Sequence, residues 1–177
     1  AFSSFIVYFA NNKEGMQTIA YWMMGSLAGA QWGELAVIAP IIMASILFFW
    51  TQSRVLNLML LGDESAITMG TDLHAYRQWY LLISSLIVGF AVYSAGMIGF
   101  VGLIVPHVIR MFTGPDHKRL LPVAALVGAI FLVVADGLCR VIIPHTELPI
   151  GILISMIGAP SFIYLMIKKT YGFGGSD

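Results

Sequence analysis

Long apolar blocks separated by polar segments dominate the chain. The complete blocks occupy residues 34–51, 78–112, 120–138 and 148–167, and a shorter apolar stretch covers residues 1–10. They form neither alternating patterns nor single 3.6-residue stripes around one aqueous core, so lipid is the expected surrounding. Because a helix needs about 20 apolar residues to cross a bilayer, the complete blocks predict membrane-spanning helices.

The block at residues 78–112 is too long for one crossing. As a single helix it would extend roughly 50 Å, against a hydrocarbon core of about 30 Å. We therefore predict a reversal near Ser94, Ala95 and Gly96 that gives two spans. The predicted fold is an all-α polytopic transmembrane helical bundle. It has about five complete spans and the tail of a sixth, all within one domain at residues 1–177.

Two polar segments organise the rest of the chain. A polar break at residues 11–14 precedes Tyr21 and Trp22, a mixture typical of an interfacial or re-entrant helix. The longest polar segment, residues 52–77, must lie in water. Inside it, residues 61–70 predict a short helix with Asp63 and Glu64 in the first turn and Gly70 as the terminator.

Composition supports a membrane protein. Only 10% of the residues are charged, 59% are hydrophobic and the mean hydropathy is +0.88, whereas a soluble domain has about a quarter charged. The formal net charge is zero, so no bulk field points to a nucleic acid. Cys139 is the only cysteine, which excludes an internal disulfide and a multi-cysteine metal site.

Charge position predicts the orientation of the bundle. If the spans alternate sides, two cations, Lys13 and Arg140, fall on one side. Seven fall on the other: Arg54, Arg77, Arg110, Lys118, Arg119, Lys168 and Lys169. Because cytoplasmic loops carry the excess of Lys and Arg, the side with residues 52–77 and the C-terminus is predicted to be cytoplasmic.

Two titratable residues near the spans have a structural and a functional interpretation. For Asp136, a helix-to-helix hydrogen bond is favoured over an ion path. For His107, which follows Pro106, capping of a helix C-terminus is favoured over a metal site. If Asp136 and His107 both act functionally, they indicate a proton-coupled secondary transporter, which is the alternative to the function considered below.

Small residues predict smooth helix faces. Gly96, Gly99 and Gly102 recur every three residues, and Gly151, Ser155 and Ala159 every four. Such faces serve close packing or a sliding gate, and the sequence leaves both open. The full set of predicted packing or gating positions is Gly96, Gly99, Gly102, Pro106, Gly151 and Gly158.

Two further features have open interpretations. Residues 61–70 form either a capped connector or a docking helix, in which Ser65 and Ala66 would let a partner approach and Glu64 would meet a basic group. Arg140 either extends to the interface or pairs with an acidic group on an external partner. The sequence has no phosphate loop, nucleophile elbow or zinc-protease signature. We therefore expect no enzyme activity in this chain, and if ATP drives the protein, another chain hydrolyses the ATP.

Six motifs in order carry a resemblance to a known family. They are LGDESAITMG at 61–70, GFVGLIVPHVIR at 99–110, GPDHKRLLP at 114–122, AD at 135–136, ELPIG at 147–151 and GAPSF at 158–162. Together they resemble the permease family of iron-siderophore, haem and cobalamin ABC importers, over essentially the whole chain.

The resemblance implies the C-terminal half of a ten-span subunit in a bacterial or archaeal cytoplasmic membrane. Its partners would be a second permease subunit, two ATPases that hold ATP and Mg, and an external substrate-binding protein that pairs with Arg140. The chain itself would hold no cofactor or metal. Residues 52–77 resemble the family's ATPase-coupling loop, at Gly62, Asp63, Glu64, Ser65, Ala66, Met69 and Gly70. The motifs leave the substrate undecided, and ferric complexes are favoured only because they are common in the family.

Overall fold

The computed structural model describes residues 13–142 and 148–171, and every regular element in these ranges is helical. The helices are α1 (Lys13–Met24), α2 (Trp32–Thr51), α3 (Ser53–Leu60), α4 (Asp63–Thr68), α5 (Leu73–Ala95), α6 (Val101–Thr113), α7 (His117–Ile142) and α8 (Ile150–Tyr171). The predicted all-α bundle is therefore confirmed. The predicted tail at residues 1–10 lies outside the described ranges.

Three of the described helices are long and apolar enough to cross a membrane: α2, α5 and α7. Within the structure, only 6% of the apolar window of α2, 6% of that of α5 and 11% of that of α7 is buried. A water-soluble fold would bury such surfaces in its own core. Here the backbone is satisfied inside each helix, so apolar side chains can face lipid or further protein.

The predicted reversal in the apolar block at residues 78–112 is confirmed, but the helix after it is shorter than expected. α5 ends at Ala95, and Gly96 leaves the helix with φ +71°. Residues 96–100 are not helical, so α6 has 13 residues and a length of about 20 Å. The prediction of a second complete span in this block is therefore wrong, because five of its apolar residues form the turn.

Phe100 explains why the turn is extended. Its backbone has φ +62°, which is rare outside glycine and is held only where packing determines it. A Cβ on Gly158 would lie 2.7 Å from the Phe100 Cβ. The absent side chain at Gly158 thus makes room for Phe100, which packs with the cluster between α7 and α8.

α1 ends against the same turn. It begins at Lys13, within the predicted polar break, and Ser26 after it donates its N–H to the carbonyl of Ala95 at 2.9 Å. A methyl group on Gly96 would collide with the carbonyl oxygen of Trp22, and one on Gly151 with that of Met24. Three backbone segments therefore meet where side chains are absent.

α7 is the central helix of the described structure, since it contacts α2, α3, α6 and α8. Its first half contributes Leu120 to a buried cluster with Val105 and Ile109 of α6. Its last half contributes to a second cluster, which consists of Ala135, Cys139, Ile150 and Ile154. Both halves of α7 are thereby fixed to neighbouring helices.

The predicted small-residue positions differ in their surroundings. Gly96, Gly151 and Gly158 lie at the close approaches described above, whereas a Cβ on Gly99 or Gly102 would meet no atom within 4 Å. Gly102 and Pro106 instead line an open apolar cleft of about 700 Å³ between α2, α5, α6 and α7. A gating role for any of them stays a prediction.

We expect Gly151→Ala in the full-length subunit to lower stability by about 1–3 kcal/mol, the usual cost of overpacking. The added methyl group would force α8 away from the Met24 carbonyl. Gly137→Ala on α7, where a Cβ meets nothing within 4 Å, is the matched control. Thermal unfolding in detergent checks this, and equal midpoints for the two variants would contradict the close packing.

Candidate coupling and docking sites

The polar segment at residues 52–77 folds as two short helices, α3 and α4, followed by the start of α5. α3 follows after Gln52, and α4 carries Asp63 and Glu64 in its first turn. Gly70 follows α4 with φ +77°, and its N–H donates to the Ile67 carbonyl at 2.9 Å. The short helix predicted at residues 61–70 is therefore confirmed, with the acids and the glycine in their predicted places.

Ala66 holds α4 against the rest of the chain. Its side chain is fully buried, and its carbonyl accepts the N–H of Thr71 at 3.0 Å. The prediction that Ala66 lets a partner approach is thus wrong, because its own chain covers it. Ser65 is half-buried, whereas Glu64 is exposed and available to another molecule.

Apolar side chains around α4 face outward. Leu61, Ile67 and Met69 are 58%, 67% and 62% exposed. Apolar side chains in a water-exposed segment indicate an interaction surface when they occur together. Of the three, only Met69 was among the predicted coupling residues; the signal for Leu61 and Ile67 was their apolar character within the longest polar segment.

An ion pair joins α4 to α5. Arg77 Nη2 lies 2.8 Å from Asp63 Oδ1, and the two side chains are 50% and 58% exposed. Exposed pairs of this kind contribute about 0–1 kcal/mol. The pair therefore orients α4 without fixing it firmly.

Asn57 of α3 joins the turn between α6 and α7. Its Nδ2 donates to Asp116 Oδ1 at 2.8 Å, and its Oδ1 lies 2.9 Å from the His117 backbone N and 2.8 Å from His117 Nδ1. An amide oxygen only accepts, so Nδ1 of His117 carries the hydrogen. We call Asn57, Asp116 and His117 the basal clasp. Its three contacts join residues about 60 positions apart, and sequence reasoning missed it.

The carboxylate of the basal clasp is stabilised in its charged form. The hydrogen bond from Asn57, and next the backbone N–H of Lys118, lower the pKa of Asp116 below its ordinary value of 3.8. Because the folded pKa is the lower one, this stabilisation is present above the unfolded pKa and is lost as pH falls through the folded pKa. The basal clasp is therefore charged at neutral pH.

A proline in α7 creates a second link at this end. Pro122 has no N–H, so it cannot donate to the carbonyl of Lys118 four residues earlier. Trp50 at the end of α2 donates its indole N–H to that carbonyl at 3.1 Å. The tryptophan thus replaces the helical hydrogen bond that the proline removes and ties α2 to the first turn of α7.

The opposite end of α7 carries the predicted docking residue. Arg140 Nε lies 2.8 Å from Asp136 Oδ2, four residues earlier on the same helix, and the side chains are 52% and 23% exposed. The hydrogen bond of Asp136 was predicted to reach another helix; this partner lies on its own helix, one turn away. Half of the arginine side chain stays accessible to another molecule.

The two residues of the proposed proton relay lie far apart. His107 is in the middle of α6, and the basic residue in the last turn is Arg110, so the capping interpretation of His107 is wrong. His107 lies six residues before the end of α6, and Asp136 lies 19 residues after the start of α7. At 1.5 Å per residue they are separated by about 20 Å along the bundle. The geometry does not support the secondary-transporter alternative.

Comparison with known families agrees with the motifs. Residues 1–168 match the FecCD transport family. The chain belongs to this family. The resemblance read from the six motifs is therefore confirmed.

Individual relatives match this chain over most of its length. It is 40% identical to the hemin transport system permease protein HmuU of Yersinia pestis, over 93% of the chain and 49% of the relative. It is 41% identical to the cobalamin import system permease protein BtuC of Halobacterium salinarum, over 94% and 44%. It is 42% identical to the Fe(3+) dicitrate transport system permease protein FecD of Escherichia coli, over 83% of the chain and 46% of the relative. The chain spans about half the length of these relatives.

A solved structure has the same arrangement of helices. It is a metal-chelate type ABC transporter in an inward-facing conformation, with a TM-score of 0.83 and 34% sequence identity. The match covers 89% of the present chain and 51% of the transporter chain. The all-α fold is thus shared with a transporter subunit of twice the length.

We expect Trp50→Phe in the full-length subunit to cost about 0.5–1.5 kcal/mol, the usual net value of one hydrogen bond. The substitution keeps an aromatic ring but removes the donor to the Lys118 carbonyl. Trp79→Phe, at a residue that is 62% exposed, is the matched control. Chemical unfolding in detergent compares them, and no difference would contradict the role of the indole N–H.

Proposed function

We propose that this chain is the C-terminal half of the permease subunit of an ABC importer for iron chelates, haem, cobalamin or a similar metal-containing solute. The family match over residues 1–168 carries the proposal. The relatives named for hemin, cobalamin and ferric dicitrate support the class of substrate. These solutes have in common a metal ion held in a large chelate. The whole transporter determines which of them is carried.

In this proposal α4 is the coupling helix, which enters a cleft on a cytoplasmic ATPase. Its support is the exposure of Glu64, Ile67 and Met69 together with the burial of Ala66. One side of the helix is held by the chain and the other is presented outward. Glu64 would meet a basic group of the ATPase, and the apolar side chains would fill the cleft.

Arg140 is the docking residue for an external substrate-binding protein. It lies at the other end of α7 from the segments that carry Arg54, Arg77 and Lys118, as the charge pattern requires for a cytoplasmic C-terminus. The pair with Asp136 holds the side chain in place while half of it remains accessible. A carboxylate of the binding protein would share the guanidinium, which offers several donors.

The mechanism is alternating access by a dimer of permease subunits. Two ATPases, which hold ATP and Mg, close on each other and move the two coupling helices. The helices of the bundle then change their tilt, and the central path opens to one side at a time. The permease supplies movement, and the chemistry of ATP hydrolysis takes place in the partner chains.

We expect Glu64→Arg to reduce the amount of ABC-type ATPase that co-purifies with the full-length subunit by at least about fivefold, since a like charge would replace a favourable pair. Mass spectrometry of the assembly, purified in mild detergent, measures it. Arg140→Glu, at the other end of α7, is the matched control and should retain the ATPase. Equal retention in Glu64→Arg and wild type would refute the coupling role of α4.

We expect Arg140→Glu to weaken capture of a substrate-binding protein by at least about tenfold, because it reverses the charge at the docking site. Asp136→Asn is the control: it keeps the guanidinium and should change capture much less. Purified assemblies on a biosensor surface, titrated with the periplasmic or extracellular fraction and then with the captured protein, give the affinities. Unchanged capture by Arg140→Glu would remove Arg140 from the docking site.

A further inference from the structure

α7 extends from the coupling end of the structure to the docking end. His117 is its first residue, and Arg140 lies 23 residues later, close to its last. At 1.5 Å per residue the two are about 35 Å apart. The helix is continuous over its 26 residues, and buried clusters fix both of its halves to neighbouring helices. Secondary-structure elements that connect two sites in this way can carry coupling between them.

Besides the chain connection through residues 69–72, side-chain contacts provide two routes from α4 to the membrane-spanning helices. The first is the ion pair between Asp63 and Arg77, whose side chains are 58% and 50% exposed. An exposed ion pair of this kind is weak. The second leads back through α3, which adjoins α4 across Leu61 and Gly62. From α3, the basal clasp reaches the first residue of α7.

The second route is the firmer one. Asn57 uses both ends of its amide: Nδ2 binds Asp116, and Oδ1 binds the backbone and the ring of His117. These side chains are partly buried, and the acceptor Asp116 also receives the N–H of Lys118 at 3.0 Å. One of these bonds goes to a charged acceptor, and such a bond is stronger than a bond between neutral groups. Trp50 also binds the first turn of α7, at the carbonyl of Lys118.

We propose that Asn57 is the positioning residue that transmits movement of the coupling helix to α7, so that α7 links ATPase engagement at α4 with binding-protein engagement at Arg140. This inference rests on the proposed function. Asn57 acts through the basal clasp. The link is reciprocal, since coupling between two binding events has the same size in both directions.

Asn57→Asp tests the basal clasp directly. The new carboxylate would face Asp116 across the 2.8 Å contact, where two like charges repel. In the double variant Asn57→Asp with Asp116→Asn, an amide again faces a carboxylate, with the roles exchanged. Gln78→Glu is the matched control, because it adds the same charge on the exposed surface of the nearby α5.

The measurement is ATP hydrolysis by the assembled transporter in lipid nanodiscs, with and without the substrate-binding protein captured by the wild-type assembly. In Asn57→Asp we expect the ATPase to be retained and its stimulation by the binding protein to fall at least about fivefold, the lower range of typical coupling. The double variant should recover most of the stimulation. Gln78→Glu should behave as wild type.

Three outcomes would overturn the inference: full stimulation in Asn57→Asp, an equal loss in Gln78→Glu, or a loss that the double variant does not recover. If Asn57→Asp does not assemble, Asn57→Ala, which adds no charge, replaces it, and retained ATPase with normal stimulation would again overturn the inference. A wild-type subunit that retains no ATPase would instead refute the proposed function itself. The two failures are therefore distinguishable.

Discussion

The packing of α7 against its neighbours is the constraint on which the described structure depends. Little of any long helix is buried, so the bundle has few internal contacts with which to fix its arrangement. Two buried clusters supply such contacts, one around Leu120 and one around Ala135 and Cys139. Each cluster joins α7 to a neighbouring helix. In a membrane, lipid is as apolar as these side chains, so close packing rather than exclusion of water selects the neighbours of a helix.

Close packing here depends on the absence of side chains at a few backbone positions. Gly96 and Gly151 allow backbone segments to touch, and Gly158 admits the ring of Phe100. A proline within a helix leaves the carbonyl four residues earlier without its helical donor. Trp50 provides one for the carbonyl of Lys118, opposite Pro122. Pro122 and these three glycines thus have specific counterparts elsewhere in the chain.

The side-chain contacts proposed for coupling and docking lie at opposite ends of α7. At one end, α3, α4 and the turn before α7 are joined by the basal clasp. At the other, Arg140 and Asp136 form an ion pair on α7. This separation fits a subunit that converts an event on one side of a membrane into movement on the other. The cleft between the ends is lined mainly by apolar side chains, with the hydroxyl of Ser45 among them.

The sequence by itself determined the features that depend on short stretches of chain. The apolar blocks predicted the spans, the length of residues 78–112 required a reversal, and the acids and glycine around α4 predicted a capped short helix. The family followed from six motifs in order. The pair between Asp136 and Arg140 was also within reach, since residues four apart on a helix are neighbours.

Tertiary structure decided what depends on residues distant in sequence. The short α6 results from the conformation of Phe100, which requires Gly158 of another helix. Ala66 has a small side chain in either interpretation, and only the fold places it under its own chain rather than against a partner. The basal clasp joins residues about 60 positions apart, and no local pattern specifies which amide meets which carboxylate. Hydrogen bonds act over about 3 Å, so the folded chain alone determines which of its polar groups come within that distance.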